Sequence, residues 1–115
     1  MLDGVSLRSL HSALDGLAAR QRVISDDIAN VNTPFYTAHS VAFEDNLRSA
    51  VKGGGDPSSV KPVTSNSTDP YNLTYNNVDL DKETVLSAET QLRYDLALRA
   101  TGDRFSLLHI AAKGA

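Results

Sequence analysis

Ile28-Ala29-Asn30-Val31-Asn32-Thr33-Pro34-Phe35-Tyr36 marks the place where a long apolar stripe stops. Upstream of it, Leu7, Leu10, Leu14, Leu17, Gln21, Ile24, Ile28 and Val31 alternate three- and four-residue steps without a slip, the spacing of a coiled-coil seam, and all but Gln21 are apolar. The stripe predicts a helix that starts between Asp3 and Ser6, whose side-chain oxygens can cap the first amides, and runs to about Val31. Asn32 tolerates a left-handed helix end, Pro34 has no amide to continue the ladder, and the residue before a proline is pushed out of helical dihedrals. Asn32-Thr33-Pro34 is therefore a helix stop.

Two residues interrupt this helix. Gly16 weakens it by about 1 kcal/mol relative to alanine and reads as a tolerated weak point, the alternative being close approach of a neighbouring backbone. Gln21 reads equally as a register-setting hydrogen bond in a bundle and as a solvated position at a frayed edge.

After the stop, Phe35 to Phe43 is rich in β-branched, aromatic and small residues and predicts an extended segment, followed by a short helix over Glu44 to Val51. From Val51 to Asn77, 19 of 27 residues are Gly, Pro, Ser, Thr, Asn or Asp, which suits an irregular loop or short hairpin. Val60, Val63, Tyr71, Leu73 and Tyr75 are the residues that support two weak strands there, and Gly53 to Pro57 reads as a flexible stretch that tolerates deletion. Asp79 or Asp81 then caps a second long helix over Asp81 to Ala112, with Glu83 placed favourably in the positive end of its dipole. The acid-first pairs Glu89/Arg93 and Asp95/Arg99 support that helix. The fold class is mainly α: long terminal helices packed as a coiled-coil-like pair around an irregular middle, in three segments of one unit, 1–33, 34–78 and 79–115.

The second helix carries two apolar lines, Val85, Ala88, Leu92 and Leu96 on one side and Tyr94, Leu98, Phe105, Leu108 and Ala112 on another. One partner helix cannot cover both, and only one other long helix is available. The remaining cover must come from other subunits. Candidate assembly residues are thus Leu7, Leu10, Leu14, Leu17, Ile24, Ile28 and Val31 on the first helix, with Val85, Leu92, Leu96, Leu98, Phe105 and Leu108 on the second.

Composition excludes several function classes. With 11 basic against 14 acidic side chains in 115 residues, the net charge of −3 gives no electrostatic ground for nucleic acid. The chain lacks cysteine, so disulfides, thiolate nucleophiles and the commonest zinc sites are out of reach. No run approaches the ~20 consecutive apolar residues of a membrane span, and the sequence from Met1 to Leu7 lacks the basic and continuous apolar regions of a cleaved Sec-type leader. His11, His39 and His109 sit in separate segments with no nucleophile or base at motif spacing, so no catalytic residue, cofactor or small-molecule substrate is expected. Asn77-Val78-Asp79-Leu80-Asp81 starts like a calcium loop, but Lys82 stands where its glycine belongs and Ala88 where its glutamate belongs.

Ile28 to Ala38, an Asn-rich helix end followed by Thr-Pro, one variable residue, Tyr and a small pair, resembles the signature of bacterial flagellar axial proteins. Asn30, Asn32, Thr33, Pro34 and Tyr36 carry it. Val41 to Leu47, Asn76 to Glu83, Gln91 to Tyr94 and Arg104 to Leu108 are most similar to the flagellar basal-body rod proteins, in particular the short proximal-rod family, rod protein B. Phe35, where many axial proteins carry glycine, and Thr37, where lysine is common, depart from the pattern. A bulky Phe35 is expected to exclude a turn that relies on glycine's positive φ.

The resemblance implies a structural subunit of the hollow rod that crosses the periplasm and transmits torque, without catalytic activity. It also implies export through the flagellar type III apparatus with an uncleaved signal. Implied partners are further copies of the chain, sister rod proteins and the adaptor that joins rod to MS ring. Another axial family member and, from a different class, a small helical adaptor or chaperone with a bundle of its own are the alternatives; a cell-wall hydrolase is a more distant one. Because isolated helices gain their stability from packing, circular dichroism of dilute protein should show less helix than the two long spans require. Full helicity at low micromolar concentration, independent of concentration, would refute this.

Overall fold

The computed structural model describes residues 2–114, with side chains for residues 4–113. Helix α1 (Leu2–Ala29) is followed by strand β1 (His39–Ala42), helix α2 (Glu44–Lys52), a single 3-10 turn (Pro57–Ser59), strand β2 (Val63–Asn66) and helix α3 (Leu80–Gly114). The molecule measures 66 × 26 × 14 Å, and the 35 residues of α3 span about 52 Å of that length. α1 and α3 run antiparallel: Gln21 Nε2 donates to Ser87 Oγ at 2.8 Å near one end, and Leu7 and Leu14 share a groove with Thr101 and Phe105 near the other. Gln21 is thus a hydrogen-bonding seam residue within the chain, although its Oε1 is buried without a partner. No helix among the described residues is long and apolar enough to cross a membrane.

The middle segment folds back on α1. β1 and β2 pair antiparallel, with His39 opposite Asn66 and Ala42 opposite Val63. The hairpin therefore joins the segment after Pro34 to the stretch around Val63, and Tyr71 to Tyr75 forms no strand. There Asn72 Oδ1 accepts from the amides of Thr74 (2.9 Å) and Asn76 (3.0 Å), satisfying the backbone locally instead of in a ladder. Leu17, Val41 and Phe43 form the core, with Ala13, Val23, Leu47, Val60 and Tyr94 packed against it. Arg20 closes that core from above. Its guanidinium forks onto Glu44 at 2.6 and 2.7 Å, donates to the Val41 carbonyl at 2.7 Å and lies 5.0 Å from the Phe43 ring centroid. The Arg20 hydrogen bond is the largest cause holding the Glu44 carboxyl down at about 2.

Several sequence expectations need correction. α1 ends at Ala29, and the next residues turn; the cap expected between Asp3 and Ser6 falls inside the helix, and the Asp3 side chain lies outside the described residues. Asn32 is not left-handed: apart from glycine, only Phe35 (φ 61°) and Tyr75 (φ 57°) have positive φ among the described residues. Phe35 thus adopts the conformation its bulk was expected to forbid. Its ring stacks on Tyr75 at 5.4 Å and 6°, and its amide donates to the Thr74 carbonyl at 3.0 Å, which offsets the strain. Gly53 to Pro57 is not a free loop either. Gly54 (φ 72°) terminates α2 with Gly55 N–H on the Ala50 carbonyl, and buried Pro57 accepts from Ser12 Oγ at 2.7 Å. Of the two predicted pairs on α3, Glu89–Arg93 forms at 2.6 Å, whereas Asp95 accepts from Gln91.

The orientation of α3 is the least expected feature. The residues it turns inward are Glu83, Ser87, Thr90, Tyr94, Ala97 and Thr101, a heptad-spaced line, with half-buried Leu86 beside it; apart from Leu86 and Tyr94 they are polar or small. Val85, Leu92, Leu96, Leu98 and Phe105 remain exposed, at 65, 60, 57, 47 and 60 %. Residues 102–113 are all exposed, so α3 overhangs α1.

Gly16 is the other case in which packing decides. A Cβ on Gly16 would sit 2.5 Å from the Phe43 ring, so the glycine admits an aromatic side chain, not a neighbouring backbone. Gly16→Ala should destabilise the fold by about 1–3 kcal/mol in urea denaturation, overriding alanine's helix preference of about 1 kcal/mol. Adding Phe43→Leu should recover part of the loss.

Candidate assembly interface

The Asn-Thr-Pro turn is built by side chains that replace the missing helical partners. Asn30 N–H donates to the Asp26 and Asp27 carbonyls at 3.1 Å, Asn30 Nδ2 donates to the Asp26 carbonyl at 2.8 Å, and Thr33 Oγ1 donates to Asn30 Oδ1 at 3.0 Å. From the far side of the loop, Asn76, 1 % exposed, donates through Nδ2 to the carbonyls of Asn30 (2.9 Å) and Thr33 (2.8 Å) and accepts from Val78 N–H at 2.8 Å. Asn77 repeats the device one residue on: Oδ1 accepts from Ala38 N–H at 2.7 Å and Nδ2 donates to the Asp69 carbonyl at 3.1 Å. The two asparagines thereby weld the segment entering α3 to the segment leaving α1.

Beneath the turn lies Asp27, fully buried. It accepts from Tyr36 Oη at 3.0 Å and from His39 N–H at 3.0 Å, and the His39 imidazole stands 3.5 Å from it. Burial, reinforced by this hydrogen bond, pushes the Tyr36 phenol up to about 12. Asp79 caps α3, accepting from Lys82 N–H at 3.2 Å. Glu83 lies in the first turn of α3, as expected, but its side chain is buried. It is turned inward toward Asp27, and desolvation first, then Asp27's charge, raise its carboxyl to about 7.

Of the sequence-predicted residues, Asn30, Thr33 and Tyr36 are engaged in this junction, while Asn32 and Pro34 are exposed. Leu17 and Ile24 lie in the chain's own interior, at 5 and 2 % exposure; Leu7, Leu10, Leu14, Ile28 and Val31 are half-buried. The α3 residues Val85, Leu92, Leu96, Leu98, Phe105 and Leu108 are exposed together with Leu107 and Ile110. A second exposed group, Phe35, Tyr71, Leu73 and Tyr75, sits in the loops beside the turn, with Leu73 99 % exposed. Sequence reasoning missed Asp27, Asn76 and Asn77 as junction residues. Paired asparagines immediately ahead of a helix cap were the available signal, since such residues satisfy backbone groups where no ladder exists.

Asn76→Ala should destabilise the protein by about 1–3 kcal/mol, because it removes the side-chain donor to the Thr33 and Asn30 carbonyls and the acceptor of Val78 N–H, the Asn30 carbonyl alone keeping a second donor in Thr33 N–H. Asn32→Ala should stay within about 0.5 kcal/mol of wild type despite its place in the motif. Urea denaturation of both variants checks the contrast.

No protein-family model matches the chain. Among curated proteins it is similar to the flagellar basal body rod protein FlgB of Escherichia coli strain K12, 30 % identical with 99 % of both chains covered. It is also similar to the FlgB proteins of Bacillus subtilis strain 168 (28 %, covering 95 % of this chain and 94 % of the relative) and Borreliella burgdorferi (29 %, covering 90 and 92 %). Near-complete coverage in both directions, together with the paired terminal helices and the Asn-Thr-Pro junction, places this chain in the FlgB family of flagellar basal body rod proteins.

Proposed function

We propose that the chain is a structural subunit of the flagellar basal-body rod, polymerising through its terminal helices into the shaft that carries torque. The observation that carries this reading is the inverted face of α3: eight large apolar side chains, from Val85 to Ile110, are exposed on one helix while the seam against α1 is mostly polar or small. Sister subunits, neighbouring rod proteins and the MS-ring adaptor would cover that surface, and the type III apparatus would export the chain with its signal uncleaved. Head-to-tail contacts of this kind build an open helix when the rotation between neighbours does not close. Interdigitated side chains from several helices resist sliding under load better than one flat contact. A free-standing helical adaptor fits less well, because its own bundle would bury these residues.

Leu92→Asp should leave the isolated subunit folded and expressed but abolish swimming when it replaces the wild-type gene, since it puts a charge into a surface that must become dry. Leu14→Asp should abolish swimming too, with some loss of subunit stability because Leu14 is already half-buried. Normal motility in both strains would contradict the assignment. A concentration-independent dimer of the purified protein that seals the α3 face would favour the adaptor reading.

A further inference from the structure

The contact between the end of α1 and the start of α3 contains two carboxyl groups and no buried cation. Asp27 is 0 % and Glu83 5 % exposed. Both Asp27 oxygens are engaged, Oδ1 by the Tyr36 hydroxyl and Oδ2 by the His39 amide. Glu83 stands one helical turn before Ser87, whose hydroxyl meets Gln21 of α1, which places it against the Asp27 end of α1, and its Oε2 is buried with no partner. Two ionised carboxylates in that position would repel each other in a water-poor space. One proton between them turns the repulsion into a hydrogen bond.

We propose that Asp27 and Glu83 share a single proton, and that this proton latches the start of α3 onto the end of α1, so that the junction beneath the Asn-Thr-Pro turn loosens as pH rises through neutrality. The surrounding charges do not substitute for it. On α1, Asp26 is exposed and Arg20 is committed to Glu44 and the Val41 carbonyl. From the segment after the turn come Tyr36, whose phenol stays protonated, and His39, whose imidazole is 3.5 Å from Asp27. From the loop before α3 come Asp69 and Asp79, and on α3 itself Lys82, which is held by Asp69 at 2.8 Å. His39, whose imidazole touches Asp27, is therefore the control position.

The sign follows from Glu83. Its ordinary value of 4.5 applies to the unfolded chain, and the folded value is about 7. Below the first value both states hold the proton. Between the two values only the folded state does, so stability falls with rising pH across this window and levels off above it. Glu44 acts in the opposite sense and in a separate range: held down at about 2 against an ordinary 4.5, it stabilises the fold above that range and loses its contribution as pH falls toward 2.

The test is chemical denaturation of the full chain from about pH 5 to about pH 8, for wild type, Glu83→Gln and His39→Gln. The wild-type folded-to-unfolded ratio should drop by roughly one to two orders of magnitude across the window. Glu83→Gln, whose amide can still donate to Asp27, should be nearly flat and more stable than wild type at the upper end, and His39→Gln should keep the wild-type slope. A slope retained in Glu83→Gln, or lost in His39→Gln, overturns the proposal. If Glu83→Gln does not fold, carbon-13 NMR of the wild-type glutamate carboxyls decides, since the chain has only three glutamates, Glu44, Glu83 and Glu89. A Glu83 midpoint near neutrality supports the latch; one in the ordinary carboxylate range overturns it. Neither measurement depends on rod assembly.

Discussion

The structure depends on which side of α3 meets α1. An amphipathic helix docking on an apolar seam normally buries its own largest apolar residues, because burial contributes about 25 cal/mol per Å². Here α1 offers Leu7, Leu10, Leu14, Leu17 and Ile24, and α3 answers with Glu83, Ser87, Thr90, Tyr94, Ala97 and Thr101, Leu86 being its one large aliphatic residue turned to that side. The intrachain pair is held by a few strong points: the Gln21–Ser87 hydrogen bond, Tyr94 against the Leu17 cluster, and Arg93 joining Arg20 on Glu44. The subunit thus keeps its strongest apolar surface in reserve, which is the condition under which association with other chains adds more than folding alone.

Holding such a pair together without a large shared core requires a firm joint, and the joint is polar. Asn76 and Asn77 satisfy backbone groups on both sides of the chain reversal, and Asp27 collects the Tyr36 hydroxyl and the His39 amide below it. Each of these is a buried group that becomes costly when its partner is removed, so the joint has one geometry and not several. The Phe35–Tyr75 stack extends it to the surface, where two residues in left-handed conformations support each other.

What was legible in the sequence followed from periodicity and punctuation. The seam of α1, the stop near Pro34, the short helix from Glu44 and the long second helix are each dictated by local spacing and capping chemistry, and each formed within a few residues of its expected bounds. That the apolar residues of α3 spread too widely for one neighbour to cover was also visible, but not that α1 would leave both lines exposed apart from Tyr94. Three further features were not legible. Gly16 receives the Phe43 ring, a contact between positions 27 residues apart that no local pattern encodes. Phe35 takes a positive φ because Tyr75 and Thr74 compensate it, a tertiary override of a local preference. Glu83 has the sequence position of a dipole-stabilising acid, yet the rotation of α3 that hides Ser87 and Thr90 also hides Glu83. The choice between a polar and an apolar edge is made by the whole pair and not by either helix.

The central claim, that the exposed line of α3 is covered by other subunits in the rod, is tested most directly by thiol accessibility. The chain has no native cysteine, so single cysteines at Val85, Leu92 or Leu96 report one position each. The account predicts that a maleimide labels all three fully in the dilute purified subunit and that the same positions are protected in isolated basal bodies. Equal labelling in the assembled state would contradict it.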